Sequence, residues 1–205
     1  MSVAERKEKE KKKRSKDIVD GAERLFFSRG YGNVSMDDIA GELELARSTL
    51  YLYFRNKEEI YTHIAIRGGE LLHRMFDDCS AIGSTGLEKT KLMLLAYIDF
   101  SHAYPGYHTA YCSAGVTHSS SSPDEFIRIH SLNIRMLIDA VTEGIHDGSL
   151  RKTIDPVKAS FTLLSSLSNI LSLPSAMAMN LQDVSIAREE LIDYSVSMLI
   201  HSIKK

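Results

Sequence analysis

Apolar residues recur at helical spacing along almost the whole chain, and this pattern limits the fold more than any other feature. Ile18, Ala22, Leu25 and Phe26 occupy positions i, i+4, i+7 and i+8, which puts them on one face of a helix with about 3.6 residues per turn. No stretch alternates apolar and polar residues as a half-buried strand does. We therefore predict an all-α protein.

Capping residues divide the first third of the chain into short helices. Gly30 predicts the end of the first helix. Ser35, with an acidic residue three places on, predicts the N-cap of a second helix, and a break at residues 44–45 separates it from a third over residues 47–53. Residues 56–59 have the pattern of another capping box, and they predict the start of a long helix at Lys57.

Two short helices joined by about three residues fit the helix-turn-helix layout, whose second helix can enter the roughly 12 Å wide major groove. Leu50 and Phe54 are spaced i, i+4 and can anchor this second helix to the core. The remaining side chains can hydrogen-bond bases or phosphates; they are Arg47, Ser48, Thr49, Tyr51 and Tyr53. An ordinary helical hairpin is the alternative.

The residues of this region resemble the N-terminal signature of TetR-family regulators. The resemblance lies in TLYLYFRNKEEI (49–60), MDDIA (36–40) and RLFFSRGY (24–31). Residues 144–151 and 155–159 are also similar to a recurrent family junction between the last three helices. The resemblance implies an N-terminal three-helix DNA-binding domain followed by a C-terminal helical domain that binds a ligand and dimerises.

The resemblance also implies roles for individual residues. Arg47 and Ser48 would face base edges, and Tyr51 would contact bases or backbone. Phosphates would be held by Thr49, Tyr53 and Lys57, with Ser35 capping its helix beside another phosphate. Lys57 lies in the first turn of its helix, where free N–H groups also favour an anion.

Three residues depart from the family pattern. Glu44 stands where a glycine is usual in the turn, so the turn must form without the residue that most easily takes a positive φ. Ser48 replaces a common glycine and Leu52 a frequent histidine. We expect these changes to affect which operator is bound rather than the mode of binding.

The N-terminal segment is strongly basic. Residues 1–16 carry eight Lys or Arg against three Glu, a net charge of +5, which leaves −7 on the remaining chain. Such a segment is either a handle for phosphates or a solvated tail, and the resemblance favours DNA. We predict a disordered or DNA-contacting arm at 1–16, a helix-turn-helix domain at 17–56, and a ligand-binding and dimerisation domain at 57–205.

Aromatic and apolar residues crowd the first part of the predicted C-terminal domain. A small-molecule pocket is mostly apolar with a few polar groups, but such a set is equally typical of plain core. The candidate pocket residues are Leu72, Phe76, Tyr97, Phe100, Tyr104, Tyr107, Tyr111, Phe126 and His130. Adjacent glycines at 68 and 69 predict a kink or a close helix crossing that could ease a ligand-driven pivot.

The helix around residues 161–173 is apolar on nearly every side and is interrupted by small serines. A helix buried all round needs partners on both faces, which favours pairing across a two-fold axis; a central helix of a monomer is the alternative. The candidate dimer residues are Phe161, Leu164, Ser165, Ser168, Leu171, Val196 and Leu199.

Several classes of function receive no support. Cys79 and Cys112 lack CxxC spacing, and His102, His108, Cys112 and His118 straddle a Pro-Gly break, so we expect neither a disulfide framework nor a metal site. Motifs of hydrolases, P-loop proteins, zincins and dinucleotide-binding enzymes are absent, so we expect no catalysis and no cofactor. No apolar run reaches the roughly 18–20 residues that span a bilayer, and the charged N-terminus is not a secretory signal.

The function that we predict is a cytoplasmic, homodimeric repressor that a small-molecule ligand releases from a palindromic operator in double-stranded DNA. A ligand bound in the C-terminal domain would shift the helix that begins at Lys57 and change the separation of the two DNA-binding domains of the dimer. The alternative is an architectural or partner-regulated DNA-binding protein without a small-molecule effector.

Overall fold

The computed structural model describes residues 2–114, 124–173 and 186–205 and contains no strand within those ranges. The predicted all-α fold is confirmed. The helices are α1 (Val3–Arg29), α2 (Met36–Glu42), α3 (Arg47–Tyr51), α4 (Lys57–Ile82), α5 (Gly86–Ala103), α6 (Pro105–Ser113), α7 (Asp124–Asp147), α8 (Pro156–Leu171) and α9 (Arg188–Ile203), with a 3₁₀ turn at Tyr31–Asn33.

The basic N-terminal segment is helical, which corrects the expectation of disorder for residues 1–16. Helix α1 begins directly after Ser2, whose hydroxyl caps the helix while Glu5 returns a hydrogen bond to the Ser2 N–H. Further along, the Arg6 guanidinium pairs with Glu10 one turn later at 3.0 Å. Such i, i+4 pairs each stabilise a helix by about 0.3–0.5 kcal/mol, so the basic segment continues the helix that begins the core.

Capping residues mark several helix ends, including the predicted end of α1 at Gly30. Gly30 and Gly148 end α1 and α7 with φ values of 79° and 81°. Thr85 and Asp155 cap the N-termini of α5 and α8 through their side chains. Residues 115–123, which precede α7, lie outside the described residues.

The described residues form two compact units. The first contains those between residues 1 and 69 together with those between 106 and 127, and the second contains those between 70 and 105 together with those between 128 and 205. Helix α6 therefore packs as part of the unit that contains α1, α2 and α3, rather than with a separate body beginning at residue 57. The functional boundaries predicted above stay a prediction.

In the first unit, α4 passes through Gly68 and Gly69 without interruption. A Cβ at Gly68 would lie 3.0 Å from the Tyr107 carbonyl oxygen, so the glycine allows α4 and α6 to approach closely. Of the two sequence predictions, the close crossing is confirmed. The Tyr107 hydroxyl donates to Glu23 of α1 at 2.9 Å, and Arg67 of α4 pairs with Glu23 at 2.8 Å, so polar contacts join three helices.

In the second unit, α5 begins against the end of α7. A Cβ at Gly86 would lie 1.9 Å from the Gly144 backbone nitrogen, so only glycine fits there. Around this contact the Gly86 N–H donates to Asp147 at 2.8 Å, and the Lys89 ammonium donates to Glu143 at 2.7 Å. Helix α8 packs on both α5 and α9.

Candidate nucleic-acid interface

A reciprocal capping box builds the start of α2, as the sequence predicts. The Asp38 N–H donates to the Ser35 hydroxyl at 3.1 Å, and the Ser35 N–H donates back to the Asp38 carboxylate at 2.8 Å. The hydrogen bonds from the Ser35 hydroxyl and N–H hold the pKa of Asp38 below its usual value. Ser35 therefore caps α2, while its predicted contact with a phosphate stays a prediction.

The turn between α2 and α3 has a residue other than glycine in the left-handed region. Glu44 has φ 51°, the one positive φ outside glycine among the described residues. The Leu45 N–H donates to the Ala40 carbonyl at 2.8 Å and the Glu44 N–H to the Gly41 carbonyl at 3.2 Å, which is the hydrogen-bond pattern of a Schellman C-cap. The sequence prediction that this turn must form without glycine is confirmed.

Helix α3 has a buried apolar face and an exposed polar face. Leu50 and Phe54 are 0% and 2% exposed, as expected from their i, i+4 spacing. Arg47, Ser48 and Tyr51 are exposed on the opposite side, whereas Thr49 and Tyr53 are half-buried. The helix ends at Tyr51, two residues earlier than predicted.

The residue after α3 adds an apolar group to this face. Leu52 is 77% exposed, so the position at which the family frequently has histidine presents a branched apolar side chain to the solvent. An exposed leucine there can contact a thymine methyl group or a sugar but cannot hydrogen-bond a phosphate. The outward face of α3 is thus polar at Arg47, Ser48 and Tyr51 and apolar at Leu52.

Arg47 has two neighbours on the exposed face. Its Nη1 lies 3.1 Å from the Asp37 carboxylate of α2, and its guanidinium carbon lies 5.6 Å from the centre of the Tyr51 ring. Sequence reasoning did not identify Asp37. Its position ten residues before Arg47 gives no helical or strand spacing that would have indicated the contact.

Lys57 is held by protein groups. Its ammonium donates to the carbonyls of Tyr31 and Val34 at 3.1 and 3.0 Å, and it lies 4.4 Å from the centre of the Tyr31 ring. An ammonium has three donors, so one is left over after these two bonds. Lys57 therefore fastens the start of α4 to the turn before α2, and its predicted phosphate contact stays a prediction.

An aromatic cluster of Phe26, Tyr31 and Tyr61 lies beneath Lys57. Their ring centres are 4.4 to 5.4 Å apart. Burial and the hydrogen bond that its hydroxyl donates to Glu58 at 2.8 Å raise the pKa of Tyr31. Helices α1 and α4 are therefore joined directly behind α2 and α3.

The first unit has a shallow concavity of about 460 Å³. We call the surface that forms it the reading surface. The walls of the concavity come from the 3₁₀ turn, the N-terminal turn of α2 and the exposed side of α3. The lining includes four of the seven predicted DNA contacts, namely Ser35, Arg47, Tyr51 and Lys57. The structure thus brings most of the predicted DNA-contacting residues to one surface.

The predicted pocket residues are divided between the two units. In the second unit Leu72, Phe76, Tyr97 and Phe100 are buried, whereas Tyr104 and His130 are exposed. Three candidates belong to the first unit; they are Tyr107, Tyr111 and Phe126.

Within the first unit, Tyr111 and Phe126 have ring centres 6.2 Å apart. Tyr107 instead packs edge-on against Phe27 and bonds Glu23, and burial and this bond raise its pKa to about 12. Tyr107 therefore serves the junction of α1 and α6, and the pocket itself stays a prediction.

The predicted dimer residues also differ in exposure. Leu171 and Val196 are buried within the protomer, so they contribute to its own packing rather than to an outer face. Phe161 and Ser165 are exposed, and Leu164, Ser168 and Leu199 are half-buried. Exposed apolar side chains that the sequence analysis did not select occur on the same helices; they are Val157, Tyr194 and Met198.

The histidines and cysteines considered for a metal do not assemble into a site among the described residues, which contain no group of three or more potential ligands. His108 and Cys112 are one helical turn apart on α6, with Nε2 and Sγ separated by 3.6 Å, a pairing that sequence reasoning passed over. His118 lies outside the described residues. Within the described ranges, every helix is too short or too polar to cross a bilayer.

The N-terminal part of the chain matches a known protein family. A family model described as bacterial regulatory proteins of the tetR family matches residues 18–64. The fatty acid metabolism regulator protein of Bacillus subtilis (strain 168) is 27% identical over 151 residues, which cover 72% of this chain and 76% of that protein.

Solved structures share the fold over nearly the full length. The regulator FadR from Bacillus subtilis in complex with stearoyl-CoA has a TM-score of 0.67 at 21% identity, covering 89% of this chain and 96% of that one. AibR in complex with isovaleryl coenzyme A and operator DNA has a TM-score of 0.69 at 20% identity, covering 91% and 98%. At such identities the likeness shows a common fold.

The segment that matches the family model contains α2, the turn at Glu44, α3 and the start of α4, which are the elements that form the reading surface. The matched proteins are regulators rather than enzymes. Residues 18–64 therefore match the DNA-binding domain of bacterial regulatory proteins of the tetR family, and the chain as a whole is similar to DNA-binding transcriptional regulators.

Proposed function

We propose that this chain is a homodimeric repressor that binds a palindromic operator through α3 and is released by a thioester of coenzyme A. The observation that carries the proposal is the exposed polar face of α3, in which Arg47, Ser48 and Tyr51 point outward while Leu50 and Phe54 hold the helix from below. A helix presented in this way can enter a major groove and bond base edges.

Dimerisation is supported by apolar side chains that the protomer leaves exposed. Val157 and Phe161 on α8 are 47% and 52% exposed, and Tyr194 and Met198 on α9 are 64% and 57% exposed. Monomers seldom expose large contiguous apolar patches, and a two-fold interface buries the same patch on both copies. Such a dimer would put two copies of α3 into successive major grooves, about 34 Å apart on one side of the duplex.

The proposed class of effector comes from the relatives. The relative that matches three quarters of its length is named for fatty acid metabolism, and two proteins of the same fold were solved with stearoyl-CoA and isovaleryl coenzyme A. An acyl chain needs an apolar cavity. Buried aromatic side chains of the second unit, Phe76, Tyr97 and Phe100, are suitable walls for such a cavity.

Three further assignments complete the proposal. The N-terminal half of α1 would contact phosphates beside the operator, because its eight Lys and Arg residues are exposed around a helix. The functional domains would be this arm, the helix-turn-helix domain and the C-terminal domain, with α6 joined to the DNA-binding side. A regulator of genomic DNA acts in the cytoplasm of a bacterium, and we propose that location.

Selection of duplexes from a random pool by the full-length protein tests the DNA-binding mode. We expect a palindromic consensus and an affinity at least about 10³-fold above that for random duplex. Arg47→Ala should reduce affinity for the consensus by about 5- to 100-fold. Arg135→Ala is the matched control, since Arg135 is also an exposed arginine paired with an aspartate. Selection without any consensus would refute the proposal.

Release by the effector is tested on the selected duplex by fluorescence anisotropy. Stearoyl-CoA and isovaleryl-CoA are added separately, with free coenzyme A and free stearate as controls. Displacement by one thioester, but by neither control compound, supports the proposed class. If no thioester displaces the DNA, the effector proposal fails and a partner-regulated repressor becomes the better description.

The dimer is tested by sedimentation of wild type and Phe161→Glu. A charge in the interface should convert the dimer into a monomer, because an unpaired buried charge costs several kcal/mol. Ile82→Glu is the control, because Ile82 is also an exposed apolar residue, at the end of α4. A wild type that sediments as a monomer, or a Phe161→Glu variant that remains dimeric, would contradict the proposed interface.

A further inference from the structure

Asp37 lies on the reading surface although the ligand proposed for that surface is an anion. Its carboxylate is 62% exposed and lies 3.1 Å from Nη1 of Arg47. The neighbouring Asp38 has a different task, since it completes the capping box with Ser35. The carboxylate of Asp37 is therefore not needed for the cap, and it pairs instead with the arginine that is expected to face base edges.

A carboxylate at this place opposes binding to the backbone of any duplex. DNA carries one negative charge per about 1.7 Å of its axis, and like charges at short distance repel even in water. Asp37 also lines the same concavity as Ser35 and Lys57, which are expected to meet phosphates. Its effect on affinity is therefore unfavourable unless Arg47 gains something from the pairing.

The geometry shows what Arg47 gains. Its guanidinium bonds the Asp37 carboxylate and also lies over the Tyr51 ring, whose centre is 5.6 Å away. A guanidinium has five N–H donors, so a bond through Nη1 leaves other donors for a base edge. A free arginine side chain has many rotamers, and these two contacts reduce the rotamer entropy that must be lost when DNA binds.

We infer that Asp37 is a positioning residue that sets the sequence specificity of DNA binding by holding Arg47 toward base edges and away from phosphates. This inference rests on the proposed function. An exposed ion pair contributes little in water, but the Asp37–Arg47 pair loses water when the protein and DNA surfaces meet, and its interaction then strengthens. On a duplex that offers Arg47 no base partner, the carboxylate contributes only repulsion.

Asp37→Asn tests the inference because it removes the charge and keeps the size of the side chain. Binding is measured at several salt concentrations with the selected operator duplex and with a scrambled duplex of equal length and composition. We expect affinity for the scrambled duplex to rise about 3- to 10-fold, with a salt slope steeper by about one, because the released Arg47 reaches a phosphate. The ratio of the two affinities should fall about tenfold.

Glu42→Gln is the matched control. Glu42 is an exposed acid on the same helix, so its replacement makes the same change in net charge without touching Arg47. We expect the ratio of operator to scrambled affinity to stay within about twofold of wild type, as for a distant charge screened by salt. An equal loss of specificity in Glu42→Gln and Asp37→Asn would mean that net charge alone acts, and the inference would be wrong.

A double-mutant cycle with Arg47→Ala separates positioning from direct repulsion. If Asp37 acts through Arg47, adding Asp37→Asn to the Arg47→Ala variant should raise affinity for both duplexes alike, because direct repulsion is removed, and should leave the specificity ratio unchanged. A fall of the specificity ratio in that background would overturn the inference. Absence of any preferred duplex for the wild type refutes the proposed function itself, whereas a discriminating wild type with an equally discriminating Asp37→Asn variant refutes only the role of Asp37.

Discussion

Glu44→Gly should stabilise the protein, although glycine makes the unfolded chain more flexible. Glu44, the residue after the C-cap of α2, has φ 51°, a conformation that costs a residue with a Cβ about 1–2 kcal/mol. Glycine removes this cost but loses about 0.5–1 kcal/mol more backbone entropy on folding. The difference predicts a gain of about 0.5–1 kcal/mol in the free energy of unfolding.

The gain can be measured by urea unfolding followed by far-ultraviolet circular dichroism, and by the melting temperature. For a chain of this length 1 kcal/mol corresponds to about 2–4 °C, so we expect a rise of about 1–4 °C. The hydrogen bonds from Leu45 and Glu44 to the end of α2 involve backbone atoms only, so they persist in the variant.

Two controls isolate the backbone effect. Glu42→Gly removes the same charge two residues earlier, at the last residue of α2, where φ is not positive, and should lower the free energy of unfolding by up to about 1 kcal/mol because glycine is a poor helix former. Glu44→Ala removes the carboxylate but keeps the Cβ, so it should give no gain. If Glu44→Gly were no more stable than Glu44→Ala, strain in this turn would not be the cause and our reasoning would be refuted.

The remaining predictions concern the arm, the glycine contacts and pH. Deleting residues 1–14 should weaken operator binding and flatten the dependence of log K on log salt, and an unchanged slope would contradict a DNA-contacting arm. Gly86→Ala should cost about 3 kcal/mol in urea unfolding because its Cβ would overlap the Gly144 nitrogen, whereas Gly41→Ala meets no atom and should stabilise α2 by about 1 kcal/mol. Burial lowers the pKa of His63, so the folded chain takes up that proton less readily and the free energy of unfolding should fall as the pH drops below about 6.5. Urea titrations should show a weaker fall in His63→Gln, and an identical pH profile would exclude His63 as the source.

Local features of the molecule followed from short stretches of sequence. The burial of Leu50 and Phe54, the capping of α2 by Ser35 and the helix end at Gly30 each depend on residues within one or two helical turns. The period of a helix and the hydrogen bonds at its ends connect only such neighbours. Spacing and residue type are therefore enough to predict them, and the resemblance to the TetR family added the expected roles of the polar residues on α3.

Contacts between helices were not predictable in the same way. Lys57 bonds carbonyls 26 and 23 residues before it, and Tyr107 bonds Glu23, which lies 84 residues away. We predicted that Lys57 binds phosphate and that Tyr107 lines a pocket from what these side chains can bind. The sequence did not show which groups lie opposite them. The tertiary structure supplies those groups.

The pairing of Asp37 with Arg47 shows the same division most clearly. Each residue was assigned to its own short helix from sequence, but whether their side chains meet depends on the angle that the turn at Glu44 sets between α2 and α3. Helix crossing angles result from side-chain packing over both helices at once, and no local periodicity encodes them. Sequence thus determines which helices form and which faces are polar, whereas packing decides which polar groups are paired before DNA arrives.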